Sequence, residues 1–235
     1  MTDRGKRRSV NEDRCSVFEL DGGACFAVVC DGMGGASAGD KAAEMAVDVI
    51  TERVKNGWRR DINEDSIENL LLTSITAANI FIYDFSVSDK KYNGMGTTVV
   101  ACAVIRNRAV FAHAGDSRAY LFTDKLIRIT KDHSVVQSLI DKGHITEEQA
   151  KDHPQKNYIT RALGVDENIE IDFNCVDLGE NDKVLICSDG LTNYVSEQDI
   201  GKILKNNDDP SQILIEEANR NGGGDNVTAV VISLN

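Results

Sequence analysis

Proline is nearly missing from this chain: Pro154 and Pro210 are the only two among 235 residues. No Pro- or Ser-rich stretch, internal repeat or low-complexity tract interrupts the sequence, so one domain over residues 1–235 is expected. No uncharged apolar run approaches the roughly 18 to 20 residues of a membrane helix. The basic start MTDRGKRRSV has no apolar segment behind it. A soluble, cytoplasmic protein without a membrane partner is expected on both grounds, and a monomer is taken as the default. C-x-x-C spacing is also missing. Most of the six cysteines (Cys15, Cys25, Cys30, Cys102, Cys175, Cys187) sit in apolar runs such as VVC and VLIC, which suits buried free thiols better than disulfides or zinc ligands. Basic charge is in deficit, 26 Lys and Arg against 38 Asp and Glu. The resulting net charge of −12 argues against a nucleic-acid backbone as partner.

Several catalytic signatures are absent as well. His113, His133, His144 and His153 are scattered and form no H-E-x-x-H pair, so ordinary core or surface roles are expected of each. No G-x-S-x-G elbow appears, which disfavours a serine hydrolase. The segment Gly32-Met33-Gly34-Gly35 lacks both the Gly-Lys-Ser/Thr ending of a phosphate loop and the G-x-G-x-x-G dinucleotide spacing.

What is present alternates between strand and helix patterns. RCSVFEL (14–20) and ACFAVVC (24–30) flank Asp21-Gly22-Gly23 and predict an antiparallel hairpin. Ala42, Met45, Val49 and Arg53 recur at helical spacing from Ser37 to about Val54, and Ile67, Leu71, Ile75, Ala78 and Ile82 do so from Ser66 to about Phe85. Residues 97–130 return to strand character with three short polar turns, which predicts a meander. Residues 131–164 lose this regularity: Thr146 and Gln149 form a capping-box pattern for one short helix, and Pro154 soon stops it. Strands IEIDFNCV and KVLICS follow, then helices after Ser196 and at Asp209-Pro210, then strand VTAVVIS. The expected class is α+β, with helices covering two facing antiparallel sheets.

Four apolar edges carry aspartate. VVC ends at Asp31-Gly32, VLIC ends at Ser188-Asp189-Gly190, GGG leads through Asp225-Asn226 into VTAVVI, and Asn11-Glu12-Asp13 opens the first strand. Gathered together, such carboxylates repel unless a cation holds them. An oxygen-only set suits Mg²⁺ or Mn²⁺, and two ions sharing a bridging aspartate can make water a nucleophile near neutral pH. Asp-Gly taken alone reads first as an ordinary turn pair, and spacing alone does not bring the four together.

Taken in order, TDRGKRRSVNED, VVCDGMGG, GTT, GDSRAY, TKDHS, HPQKNYITRALG, CSDGL and GGGDNVTAVV resemble the motif series of the metal-dependent Ser/Thr protein phosphatases of the 2C type, in their compact bacterial form. The resemblance spans residues 2–234. It implies an α-β-β-α β-sandwich with a dinuclear Mg²⁺ or Mn²⁺ site at one edge. By motif, Asp31 matches the aspartate bridging both ions, and Gly32 a backbone carbonyl ligand. Asp189 and Asp225 match carboxylates on the other ion. Asp13 and Glu12 match acidic groups reached mainly through water, and Asn226 adjoins Asp225. Arg8 matches the arginine that grips the substrate phosphate, a role its planar fork suits; by itself it is a solvated residue of a basic run. Asp116 in GDSR matches the ligand of a third, weaker ion shared with Asp189, and it fits a turn nearly as well. Asn157 lies where some relatives place another third-ion ligand.

The implied reaction is direct hydrolysis of phosphoserine and phosphothreonine on proteins, opposing a bacterial Ser/Thr kinase, with Arg8, Asp31 and Asp189 central. Alternatives are a phosphatase dedicated to one signalling partner, or a non-catalytic phosphoprotein-binding regulator. Met33 stands where animal members often carry a histidine proposed as general acid. Residues 135–160 match the family's flap, a variable segment beside the active site.

Overall fold

The computed structural model describes residues 1–34 and 38–234. Two antiparallel sheets stack face to face. One sheet runs β2 (Asp13–Leu20), β3 (Ala24–Met33), β5 (Val99–Ile105), β6 (Arg108–Ala114) and β9 (Asp172–Asp177), with the short β4 (Gly96–Thr97) added to the end of β3. The other runs β1 (Thr2–Asp3), β11 (Val227–Ser233), β10 (Lys183–Cys187), β7 (Arg118–Phe122) and β8 (Leu126–Arg128). Outside the first sheet lie α1 (Ala38–Gly57) and α2 (Glu64–Ser88). Outside the second lie α5 (Asp189–Thr192), α6 (Glu197–Asn206) and α7 (Pro210–Arg220). The expected helix-flanked sandwich is therefore the observed one.

Period two explains how the layers share the strands. Phe26, Val28 and Cys30 of β3 pack toward the α1 and α2 layer, whereas Ala27 and Val29 face the opposing sheet. In β7 and β10, Leu121, Val184 and Ile186 face inward, while Tyr120, Leu185 and Cys187 meet the second helical layer. Because both faces are covered, these strands read as continuous apolar runs instead of alternating ones. Helix α2 has the length and hydropathy of a membrane-crossing segment, yet Ile67, Leu71, Ile75, Ala78 and Ile82 are buried in the core beneath it.

Three expectations change. The supposed meander is divided between sheets: β5 and β6 pair with each other, and β7 pairs with β8 and β10. The Gly115–Ser117 turn therefore carries the chain from one sheet to the other. The segment after β8 contains a second helix, α3 (Val135–Asp141), capped by Ser134, beside the expected α4 (Glu147–Lys151) with its Thr146–Gln149 capping box. Helix α2 starts at Glu64 because the Asn63 side chain accepts a hydrogen bond from Ser66 N. The start expected for α1 at Ser37, like Gly35, lies outside the described residues. All six cysteines are free thiols, with Cys30, Cys102 and Cys187 fully buried.

Candidate metal centre

The sandwich is open at one edge, and the predicted carboxylates meet there. Asp13 and Asp31 face each other as register partners on β2 and β3. Asp13 reaches across to the other sheet, where its Oδ2 accepts hydrogen bonds from Ser188 Oγ and Thr228 Oγ1, both at 2.7 Å. That fixes one oxygen and leaves Asp13 Oδ1 buried with no partner among the described residues. Glu12 Oε1 is in the same state. A buried unpaired carboxylate oxygen costs free energy, and a cation in the cleft removes that cost.

The backbone of Asp31 is held on a shelf of hydroxyls. Its N–H donates to Thr98 Oγ1 at 3.0 Å, and its carbonyl accepts from Thr97 Oγ1 and Thr98 N, both at 2.9 Å. Only the carboxylate is left to act. Gly32 follows it under a strict steric limit, since a Cβ there would sit 2.1 Å from the Gly39 carbonyl oxygen and 2.8 Å from that of Glu12. Asp189 opens α5 directly after β10, and its Oδ2 accepts from Asn193 Nδ2 at 3.0 Å. Asp225 precedes β11, with Oδ1 held by Asn226 N and Oδ2 by Arg8 Nη2, each at 2.8 Å.

Electrostatics report the crowding. Burial first, and then the charges of Asp189 and Asp225, push Asp13 up to about 7 against the pull of its two hydroxyl donors. Burial together with Asp189 and Asp132 pushes Asp116 up to about 7. Burial and Asp225 push Asp189 up to about 6. Asp31 is raised well above the ordinary carboxylate range, by burial first and then by Asp13, Asp189, Asp116 and Asp225. Carboxylates that repel one another in a shared cleft form a cation site in want of positive charge. The donors are all oxygens, which suits Mg²⁺ or Mn²⁺.

The match to known proteins follows this geometry. The model of the Protein phosphatase 2C family matches residues 2–217. The chain belongs to this family. The serine/threonine phosphatase stp of Listeria monocytogenes serotype 4b (strain F2365) is 40% identical over 98% of this chain and 93% of its own length. Protein phosphatase PhpP of Streptococcus pneumoniae serotype 2 (strain D39) is 36% identical over 100% of the chain and 96% of its own. Among solved structures, the S. agalactiae serine/threonine phosphatase superposes with a TM-score of 0.92 at 39% identity, covering 98% of this chain and 96% of that one. The catalytic domain of the serine/threonine protein phosphatase PstP, in complex with two manganese ions, gives 0.85 at 33% identity, covering 100% and 96%.

Other residues of this phosphatase 2C chain need a separate account. Asn226 is the staple of the cleft rim: its Oδ1 accepts from Glu12 N at 2.8 Å, and its Nδ2 donates to Arg4 O and Val10 O at 2.9 Å. Arg8 points into the cleft, half-exposed and paired with Asp225. Asn157 is exposed in the segment between α4 and β9. The histidines are less scattered than their spacing indicates, because the rings of His113 and His133 stack at 4.6 Å beside Asp172. Nothing local in the sequence signals that cluster, since β6, the segment between β8 and α3, and β9 supply one member each.

Proposed function

We propose that this chain is a protein phosphatase that hydrolyses phosphoserine and phosphothreonine, and that Asp13, Asp31, Gly32, Asp189 and Asp225 hold Mn²⁺ or Mg²⁺ for that reaction. The observation that carries the reading is the convergence of these carboxylates, with an unpaired buried oxygen on Asp13, under a single half-exposed guanidinium. When bound, the ions supply Lewis-acid charge and a water acidic enough to serve as nucleophile near neutral pH. Asp31, fixed through both backbone hydrogen-bonding groups, holds its carboxylate in one place throughout turnover, which is how preorganisation lowers the barrier. Arg8 exchanges part of its pairing with Asp225 for the phosphoryl oxygens of substrate and stabilises their charge in the transition state. Asn226 keeps the Arg4–Glu12 segment, and so Arg8, at the rim. In this reading Asp116 joins Asp189 around a third, weaker ion, and the enzyme acts as a cytoplasmic monomer opposing a Ser/Thr kinase.

The test is phosphate release from a phosphothreonine peptide in the presence of Mn²⁺. The wild-type protein is expected to turn the peptide over, and Asp31→Asn or Asp225→Asn to lose roughly three orders of magnitude or more in kcat, the scale of a missing electrostatic stabiliser. Turnover that survives both substitutions sinks the proposal.

A further inference from the structure

His113, His133 and Asp172 place potential ligand atoms within 4.8 Å of one another, which invites a second metal site. The geometry refuses it. The imidazoles are stacked with 11° between planes, so their in-plane lone pairs run side by side and do not converge. A cation is also already there: Arg161 Nη1 lies 2.7 Å from Asp172 Oδ1 and 3.1 Å from His133 Nε2, and its Nη2 lies 2.9 Å from Glu170. The cluster is closed by a guanidinium.

Its position explains it better. His133 and Thr160 stand at the two feet of the flap, joined by Thr160 N donating to His133 O at 2.8 Å. The neck continues through the Ser134–Ile159 bridge and Val135 N to Tyr158 O. On its other side His133 grips Gly115 twice: its backbone N–H donates to Gly115 O at 2.9 Å, and its Nδ1 accepts from Gly115 N at 3.2 Å. An Nδ1 that accepts must be unprotonated, so the ring proton is on Nε2, directed at Asp172 Oδ2 at 3.2 Å. Gly115 has φ +114, a conformation suited to glycine, and it immediately precedes Asp116. The far side of the same turn is held by Ser117 Oγ, 2.7 Å from Thr98 Oγ1, the hydroxyl that also receives Asp31 N–H.

We propose that His133 is a positioning residue for the metal centre: its imidazole clamps the Gly115–Asp116 turn to the neck of the flap, so one side chain fixes both the Asp116 carboxylate and the segment that borders the cleft. Asp172 favours the one tautomer that can do this by accepting the Nε2 proton, and Arg161 holds Asp172 in place by donating to its Oδ1 at 2.7 Å. The inference rests on the reading of Asp116 as a metal ligand.

The experiment compares His133→Ala, His133→Asn and His133→Gln in the full chain. Amide hydrogen exchange of the metal-free protein is read first, and then the Mn²⁺ concentration for half-maximal hydrolysis. Exchange in His133→Ala is expected to accelerate at residues 114–118 and at the neck (133–135 and 158–161), with β2 and β3 unchanged. Its Mn²⁺ requirement is expected to rise roughly tenfold, the scale on which a partner of a ligand acts. The oxygen of Asn can replace Nδ1 toward Gly115, and the amide of Gln can replace Nε2 toward Asp172. Asn is therefore expected to restore protection at 114–118 and the Mn²⁺ requirement, and Gln to restore neither. Rescue by Gln equal to that by Asn overturns the proposal, as does unchanged exchange at 114–118 in the Ala variant. If Ala does not fold, the Asn and Gln pair decides alone. Asp116→Asn serves as the separate control: an unchanged Mn²⁺ requirement there defeats the assignment of Asp116, while the exchange data still judge the clamp.

Discussion

One side chain, Asn226, makes three hydrogen bonds to the N-terminal segment at the cleft, beside the Arg8–Asp225 pair and the bond from Lys6 N to Gly223 O. It spends its carbonyl on Glu12 N and both amide hydrogens on Arg4 O and Val10 O. At about 1 kcal/mol for each such bond, Asn226→Ala is expected to cost about 3 kcal/mol, and the melting temperature falls accordingly. Asn226→Asp retains the acceptor and loses both donors, placing a fourth charge beside Asp225, Asp189 and Asp31. It is expected to unfold at least as readily as the Ala variant in metal-free buffer. Thermal melts of the two proteins check the order; an Asp variant as stable as wild type contradicts it. The Asp13 site follows the same residue-level logic, since two hydroxyl donors are used to fix one oxygen and the other is buried without a partner among the described residues.

Elements meet at this edge backbone to backbone, and glycine makes the approach feasible. Helix α5 begins at Asp189, and a Cβ on Gly190 would stand 1.8 Å from the Asn226 carbonyl oxygen at the start of β11. Asp189 and Asp225 thus ride on two elements in direct contact. Gly190→Ala must push them apart, so the expected result is Mn²⁺ affinity weakened roughly tenfold or more, by titration calorimetry, with the fold retained by circular dichroism. Unchanged affinity would show that the spacing of these elements does not set the site. Much at this scale was legible in the sequence. Apolar runs ending in Asp-Gly marked where β3 and β10 deliver their carboxylates, and the Thr146–Gln149 box marked α4. The partition of strands between sheets was not legible, because Asp116-Ser117-Arg118 has the composition of a hairpin turn whether its strands pair or part company. Helices α3 and α5 and strand β1 are too short to show a period. The His133 clamp draws on residues 115, 133, 161 and 172, whose proximity only the packed fold creates.

For the whole molecule, the cleft sets function against stability. Folding forces Asp13, Asp31, Asp116 and Asp189 into one cleft, with Asp13 fully buried, in a chain already carrying a net charge of −12. Asp13 and Asp116 are raised to about 7 and Asp189 to about 6, against roughly 3.9 for an unfolded aspartate. Between those limits the folded, metal-free chain retains protons that the unfolded chain has released, so its stability declines as pH rises through the window. Below about pH 4 both states are protonated and the contribution is fully present. A divalent ion held by these carboxylates, as proposed, would replace these protons and bind the folded state alone, so its stabilisation would grow as they leave. Melting temperatures in chelator and in Mn²⁺ should therefore lie close together near about pH 5 and diverge by about pH 7.5, with the chelator curve falling. Asp31→Asn, which removes a charge opposed by Asp13, Asp189, Asp116 and Asp225, is expected to raise the metal-free melting temperature at the higher pH while abolishing hydrolysis, the usual trade between stability and an active site. Curves that remain parallel across the range would mean that the repulsion among these carboxylates is relieved by something other than the ions.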